Sequence, residues 1–267
     1  WQAIHIYDSL LTSTNSVEAN YRLGEIRYRI LGDLDGAMQH YKDVIENKRN
    51  TKLIIECVSR IADVYIAKGD LNGAENVLVK YIDDIRLKKF QTELDIKQAQ
   101  LYFLKGELDT LNAHLKNKLN LLSLDNELFN DILEIRSLLA YFQQSQEWFK
   151  PFAEIQLLLQ QNKREEALEK LTPFLANSNP VIAELAHYQV AYLLVLQGEY
   201  HRSLEVAELI SGESIYSELA TILKAEILDY LLGDSNTAID YYLFFLEEYP
   251  SSIYYDQVRI RLRELAS

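Results

Sequence analysis

The sequence predicts an all-α repeat protein, an α-solenoid of about six helix pairs with an extra bridging helix and a C-terminal capping helix. Three observations carry this expectation. The hexapeptide Gly32-Asp33-Leu34-Asp35-Gly36-Ala37 recurs as Gly69-Asp70-Leu71-Asn72-Gly73-Ala74, and again as Gly106-Glu107-Leu108-Asp109-Thr110-Leu111, with the leading glycines 37 residues apart each time. A fixed period in this range marks stacked supersecondary units. Gly (9) and Pro (4) are scarce in 267 residues, as long uninterrupted helices require. No segment sustains the apolar–polar alternation of a half-buried strand.

The hexapeptide has a physical reading. Glycine just past a helix end takes a left-handed conformation without a Cβ clash. The acidic residue after it suits the N-terminus of the next helix. The alanine lets two backbones approach closely. Each unit is therefore helix, tight turn, helix.

Taken in order, residues 1–12 read as a lone second helix, with Ala3, Tyr7 and Leu10 in its repeat slots and a polar loop to Ser16. The chain opens on Trp1 without an initiator Met or signal-peptide pattern, so a fragment or a mature chain is expected. Unit one (17–48) carries Tyr21, Gly24, Tyr28 and Gly32, then Ala37, Tyr41 and Val44. Unit two (51–88) repeats this with Ala62, Tyr65, Gly69, Ala74, Leu78 and Tyr81. Unit three (90–122) keeps Ala99, Tyr102 and Gly106 but places Leu111 in the alanine slot.

The register then breaks. The next equivalent turn residue is Asn162, 56 residues after Gly106, which leaves about one helix too many. That helix is placed at 126–144, and 123–147 is expected to bridge an N-terminal sub-array (1–122) and a C-terminal one (148–267). Units four (148–178), five (180–211) and six (214–249) follow, with turns at Asn162, Gly198 and Gly233 and with Ala167, Ser203 and Ala238 in the small slot. Pro151 falls in the first turn of its helix, where its missing N–H is harmless. A last helix (252–266) is expected to cap the stack.

Aromatic, small, aromatic, Gly, then Ala, aromatic and Pro resembles the tetratricopeptide repeat. Gly233, Ala238, Tyr242 and Pro250 stand at that family's spacing, as do Ala62, Tyr65, Gly69 and Ala74. The resemblance implies a superhelix that binds a peptide or protein segment in its concave groove. It also implies a non-enzymatic scaffold within a multiprotein complex. The stretch from Ala238 to Ser252 is similar to repeat units of bacterial envelope proteins, namely the outer-membrane assembly lipoprotein of the β-barrel machinery and the accessory protein of the Tol–Pal system. This leaves the compartment open between periplasm or envelope and cytoplasm. The carboxylate clamp of chaperone-binding members is not matched, because the corresponding positions hold Leu23, Arg60 and Asp63.

Charge and composition narrow the functional classes. The net charge is −13, which disfavours nucleic acid, whose affinity comes from Lys and Arg. The excess is local: residues 201–250 hold ten acidic and two basic side chains, whereas 51–100 balance. This is a solvated surface or a patch for a basic partner segment. No apolar run is long enough to span a bilayer. Cys57 is the single cysteine, so no internal disulfide forms, and its neighbours Ile54, Ile55 and Val58 mark it as buried. The five histidines are scattered, and no phosphate loop or nucleophile elbow is present; no cofactor, metal or catalytic group is expected.

The partner-binding residues are expected on the first helix of each pair, at positions ten, six and three before each turn glycine. In units five and six these are Tyr188, Tyr192, Val195, Leu223, Ile227 and Tyr230. In units one and two they are Arg22, Ile26, Arg29, Ser59, Asp63 and Ile66. The C-terminal groove is thus apolar and Tyr-rich, and the N-terminal one mixed and partly basic through Arg22 and Arg29. An exposed apolar patch rich in Tyr marks a binding surface. Packing of these side chains on one another within a tight superhelix is the competing expectation. An alternative function is a regulatory or substrate-binding arm of a larger enzyme whose catalytic domain lies outside this chain. Oligomeric state is left open.

Overall fold

The computed structural model describes residues 2–14, 16–47, 50–118, 129–212 and 214–265. Among the described residues the chain is all-α, with no strand. Its helices pack as successive pairs, which makes it a tetratricopeptide-like α-solenoid. It divides into two compact units, Trp1–Lys163 and Arg164–Ser267.

The first unit contains α1 (Gln2–Thr14), α2 (Val17–Ile26), α3 (Leu34–Asn47), α4 (Thr51–Ala67), α5 (Leu71–Ile82), α6 (Gln91–Leu104), α7 (Leu108–Lys118), α8 (Phe129–Phe142) and α9 (Phe149–Gln160). The second contains α10 (Arg164–Leu171), α11 (Pro180–Leu196), α12 (Tyr200–Ala207), α13 (Ile215–Glu226), α14 (Ser235–Glu248) and α15 (Tyr255–Leu265). The helix expected at 126–144 is α8; residues 126–128 of that span lie outside the described residues. Pro151 sits in the first turn of α9.

All six turn residues read from the repeat adopt positive φ: Gly32, Gly69, Gly106, Gly198 and Gly233 at 65–79°, and Asn162 at 59°. At Gly69 the backbone closes α4 in a Schellman arrangement, with the Asp70 N–H donating to the Tyr65 carbonyl at 2.9 Å. This satisfies a helix-end carbonyl that would otherwise lack a partner. Asn162 is the non-glycine that tolerates this region best, through its short polar side chain.

The acidic residue after the glycine then starts the next helix. Asp70 Oδ1 accepts from the Gly73 N–H at 2.8 Å, and Asp33 and Asp234 do the same for Gly36 and Thr237. A Cβ on Gly73 would lie 2.4 Å from the Asp70 carboxylate and 2.6 Å from the Tyr65 ring. The second glycine of the hexapeptide is therefore there for close approach.

Ala37, Ala74, Leu111, Ala167, Ser203 and Ala238 are fully buried. Leu111 fits without separating the pair, since α6 and α7 remain packed. Ser203 offsets its buried hydroxyl by donating to the Ala191 carbonyl at 2.7 Å. The cores lie between successive pairs. Tyr41, Val44, Cys57 and Ile61 form one layer, Val58, Ala62, Leu78 and Leu101 the next, and Ala225, Tyr242, Phe245 and Val258 a layer of the second unit. Burial raises the Cys57 thiol pKa, so the thiol stays protonated.

Two first helices depart from regular geometry. α2 continues as a π-helical stretch over Arg27–Leu31, and α13 as another over Ile227–Leu232. There the closing bond reaches six residues back, from Asp33 to Arg27 (2.9 Å) and from Asp234 to Leu228 (2.8 Å). In the other four turns it reaches five back, as from Glu107 to Tyr102 and from Glu199 to Leu194. A π turn absorbs one inserted residue without breaking the helix. The sequence agrees: Ala62, Ala99 and Ala191 stand seven residues before their glycine, whereas Gly24 and Ala225 stand eight before theirs.

Candidate functional site

In the second unit the first helices α11 and α13, together with α15, line a groove with a cavity of about 370 Å³. Tyr188 and Tyr192 come from α11. Leu219, Ile222, Leu223 and Glu226 come from α13, Tyr230 from its π extension, and Tyr254, Gln257, Val258 and Arg261 from α15 or the turn before it. Tyr192 is 49% exposed and Tyr230 59% exposed, large aromatic surfaces for a folded chain.

Of the residues expected here, the structure brings Tyr188, Tyr192, Leu223 and Tyr230 together. Val195 is half-buried and lies outside the cavity lining. Ile227 differs from expectation: it is 1% exposed and part of the core. The π turn is the reason. One extra residue between the small slot and Gly233 moves the groove position from Ile227 to Glu226, the true counterpart of Tyr192. The eight-residue spacing of Ala225 from Gly233 was the available signal.

The groove floor is polar but self-satisfied. Arg261 holds Asp229 with two bonds, Nε to Oδ2 at 2.7 Å and Nη2 to Oδ1 at 2.9 Å. Its third nitrogen donates to Glu264 at 3.0 Å. The Tyr242 hydroxyl donates to Asp229 at 3.2 Å. The Arg261 guanidinium also lies 4.6 Å from the Tyr230 ring centroid, a cation–π contact. The hydrogen bonds from Arg261 hold the Asp229 carboxyl below the usual carboxylate range. Glu226 behaves oppositely. It is reached by solvent, yet the surrounding protein disfavours its charge and the Asp229 carboxylate repels it, so its pKa is raised.

The first unit is organised differently. Across α2, α4 and α6 runs a ladder of alternating charge. Arg29 pairs with Glu25 at 2.8 Å, Arg60 pairs with Glu25 at 2.9 Å and with Asp63 at 3.0 Å, and Lys97 pairs with Asp63. Arg22 is exposed and pairs with Glu18 on its own helix at 2.8 Å. The basic character expected of Arg22 and Arg29 is thus neutralised within the chain. Here too the π turn shifts the register, so that Glu25, and not Ile26, is the counterpart of Asp63. A cavity of about 230 Å³ on this side is walled by Asp63, Ile66 and Phe103, and also by Ile135 and Leu138 of α8. The chain's own α8 and α9 cover this face, anchored by Phe149 and Phe152, each packed against Phe142 and against Phe103, at 5.1–6.2 Å between ring centroids.

No helix among the described residues is long and apolar enough to cross a membrane. Paired helices, left-handed turns at a fixed register and a side-chain-lined groove define a helical-repeat protein. Residues 18–49, unit one, match the family model for the tetratricopeptide repeat. The same turn geometry is repeated at Gly69, Gly106, Asn162, Gly198 and Gly233. Among solved structures it is similar to one described as "Functional Characterization of Pseudomonas Aeruginosa pilF", at 16% identity, covering 92% of this chain and 97% of that one, with a TM-score of 0.33. No curated protein matches.

Proposed function

We propose that this protein holds a peptide or protein segment in the groove formed by α11, α13 and α15, and acts by binding rather than by catalysis. The observation that carries the reading is the exposure of Tyr192 and Tyr230 on one groove wall, beside the partly buried Tyr188 and Tyr254. Tyrosine supplies a large contact area at low entropic cost and is enriched where proteins meet. Internal packing accounts for Ile227 and Leu223, which are buried, but not for these exposed rings.

The test is photo-crosslinking from native lysate, with wild type compared against Tyr192→Glu/Tyr230→Glu. Both positions are exposed, so the variant keeps its helical signal. The expected result is a partner captured by wild type, crosslinked to α11 or α13, and lost with the variant. Capture unchanged in the variant would move the site elsewhere. The similarity of residues 238–252 to envelope repeat proteins supports a place in a cell-envelope complex. Fractionation of the native cells that puts the protein wholly in the cytoplasm would reject that placement.

A further inference from the structure

We propose that the groove of the second unit recognises a cationic side chain, lysine or arginine, presented by a polypeptide among apolar residues, with Glu226 as its counter-ion. This rests on the groove reading above and names what the groove selects.

Once the two π turns are counted, Glu25, Asp63 and Glu226 occupy the same position of their first helices. The first two carboxylates are satisfied inside the chain, Glu25 by Arg29 and Arg60, and Asp63 by Arg60 and Lys97. Among the described residues Glu226 has neither an ion-pair nor a hydrogen-bond partner, although it lines the cavity. Among the described residues that line the cavity the one cation is Arg261, and all its donor nitrogens are committed to Asp229 and Glu264. The same rung of the ladder is therefore filled in the first unit and lacks its cation in the second.

The surroundings fit that cation. A lysine or arginine stem is apolar and its head is charged. The groove offers Tyr188, Tyr192, Tyr230 and Tyr254 to the stem and one carboxylate to the head. Its rings already accept a guanidinium, as the Arg261–Tyr230 contact demonstrates. Residues 201–250, with ten acidic and two basic side chains, give the region the sign that draws a basic segment toward it. An acidic or uncharged occupant would leave Glu226 without a partner at the centre of a desolvated contact, which disfavours it.

The experiment is selection of random dodecapeptides displayed on phage against the full chain, with Tyr192→Glu/Tyr230→Glu as counter-selection. Fluorescence anisotropy on the synthetic winners follows. The expected result is enrichment of peptides with one fixed Lys or Arg between apolar positions. Replacing that residue by norleucine or citrulline, or using Glu226→Gln, should weaken binding roughly tenfold. Glu226→Lys should reverse the preference toward a peptide carrying Glu at the fixed position. Winners that need the tyrosines but carry no basic residue, or that ignore Glu226→Gln, would overturn the cationic preference and leave the groove standing. Winners indifferent to Tyr192→Glu/Tyr230→Glu, or no enrichment at all, would overturn the groove reading and this inference with it.

Discussion

At Gly69 the backbone sits at φ 79°, with only the flexible end of Gln161 near its missing Cβ. The cost of a side chain there is conformational rather than steric. Gly69→Val is expected to destabilise the protein by about 1–2 kcal/mol, read by urea unfolding. Asn162→Gly, at φ 59°, should do the opposite, by a few tenths of a kcal/mol. Equal and negligible effects at both would mean that the turns do not stay left-handed in solution. Glu226 and Asp229 make a second contrast. Asp229 has a lowered pKa in the folded state, so its stabilisation is present above the unfolded carboxylate pKa. That contribution disappears as pH falls through the folded value. Glu226 has a raised pKa, so its penalty on folding grows as pH rises from the unfolded carboxylate pKa and is complete above the raised value; the penalty is absent at acid pH. Glu226→Gln is therefore expected to raise the melting temperature at neutral pH, with the gain vanishing below the ordinary carboxylate range. Binding of a cationic peptide should weaken as pH falls through the raised Glu226 value, and Glu226→Gln should flatten that profile. The groups around Glu226 are Asp229 and Tyr230 on its own helix, Tyr188 and Tyr192 on α11, Tyr242 on α14, and Tyr254 and Arg261 at α15. Burial raises the pKa of Tyr188 and Tyr242, and the hydrogen bonds to Asp229 raise that of Arg261. A melting temperature unchanged by Glu226→Gln at neutral pH would remove the basis for its raised pKa.

The helices repeat one plan with two insertions. The turn residues were legible in the sequence because left-handed backbone needs glycine or asparagine at one position, and composition reports that need directly. The extra helix α8 was legible as a break in spacing. The π turns were not read, because one added residue changes neither composition nor the apolar stripe enough to register. Counting back from Gly233 therefore put Ile227 in the groove and overlooked Glu226. The distance from Ala225 to Gly233 held the signal, but it needs the alignment of all six first helices to be seen. The insertion makes a deletion test possible. Ile30 lies in the π stretch of α2 and is 74% exposed. Deleting it should convert α2 to the regular spacing at a cost of about 1 kcal/mol or less. Deleting Ala67 from the regular α4 should be far worse, because either Ala62 or Gly69 must leave its slot; about 3 kcal/mol or more is expected from such core disruption. Thermal unfolding of the two deletions checks this. A similar loss in both would mean that the extra residue is required where it stands.

At the scale of the whole chain, the two units use the same helix position in different ways. In Trp1–Lys163 the ladder through Glu25, Arg60, Asp63 and Lys97 and the covering helices α8 and α9 spend that face on internal contacts. In Arg164–Ser267 it is left to Tyr192 and Glu226. The charge follows this division, with the excess of acid concentrated in residues 201–250. Such a field acts mainly on encounter, while the paired carboxylate acts on residence. For a lysine-bearing peptide that binds the groove, raising NaCl from about 50 to about 500 mM shortens the screening length from over 10 Å to under 5 Å. The association rate is then expected to fall roughly tenfold while dissociation changes little. Glu226→Gln should produce the complementary result in stopped-flow traces, with faster dissociation and an association rate that keeps its salt dependence. If salt instead accelerated dissociation and left association alone, the acidic stretch would contribute no steering, and the affinity would rest on the Glu226 contact and the tyrosine rings.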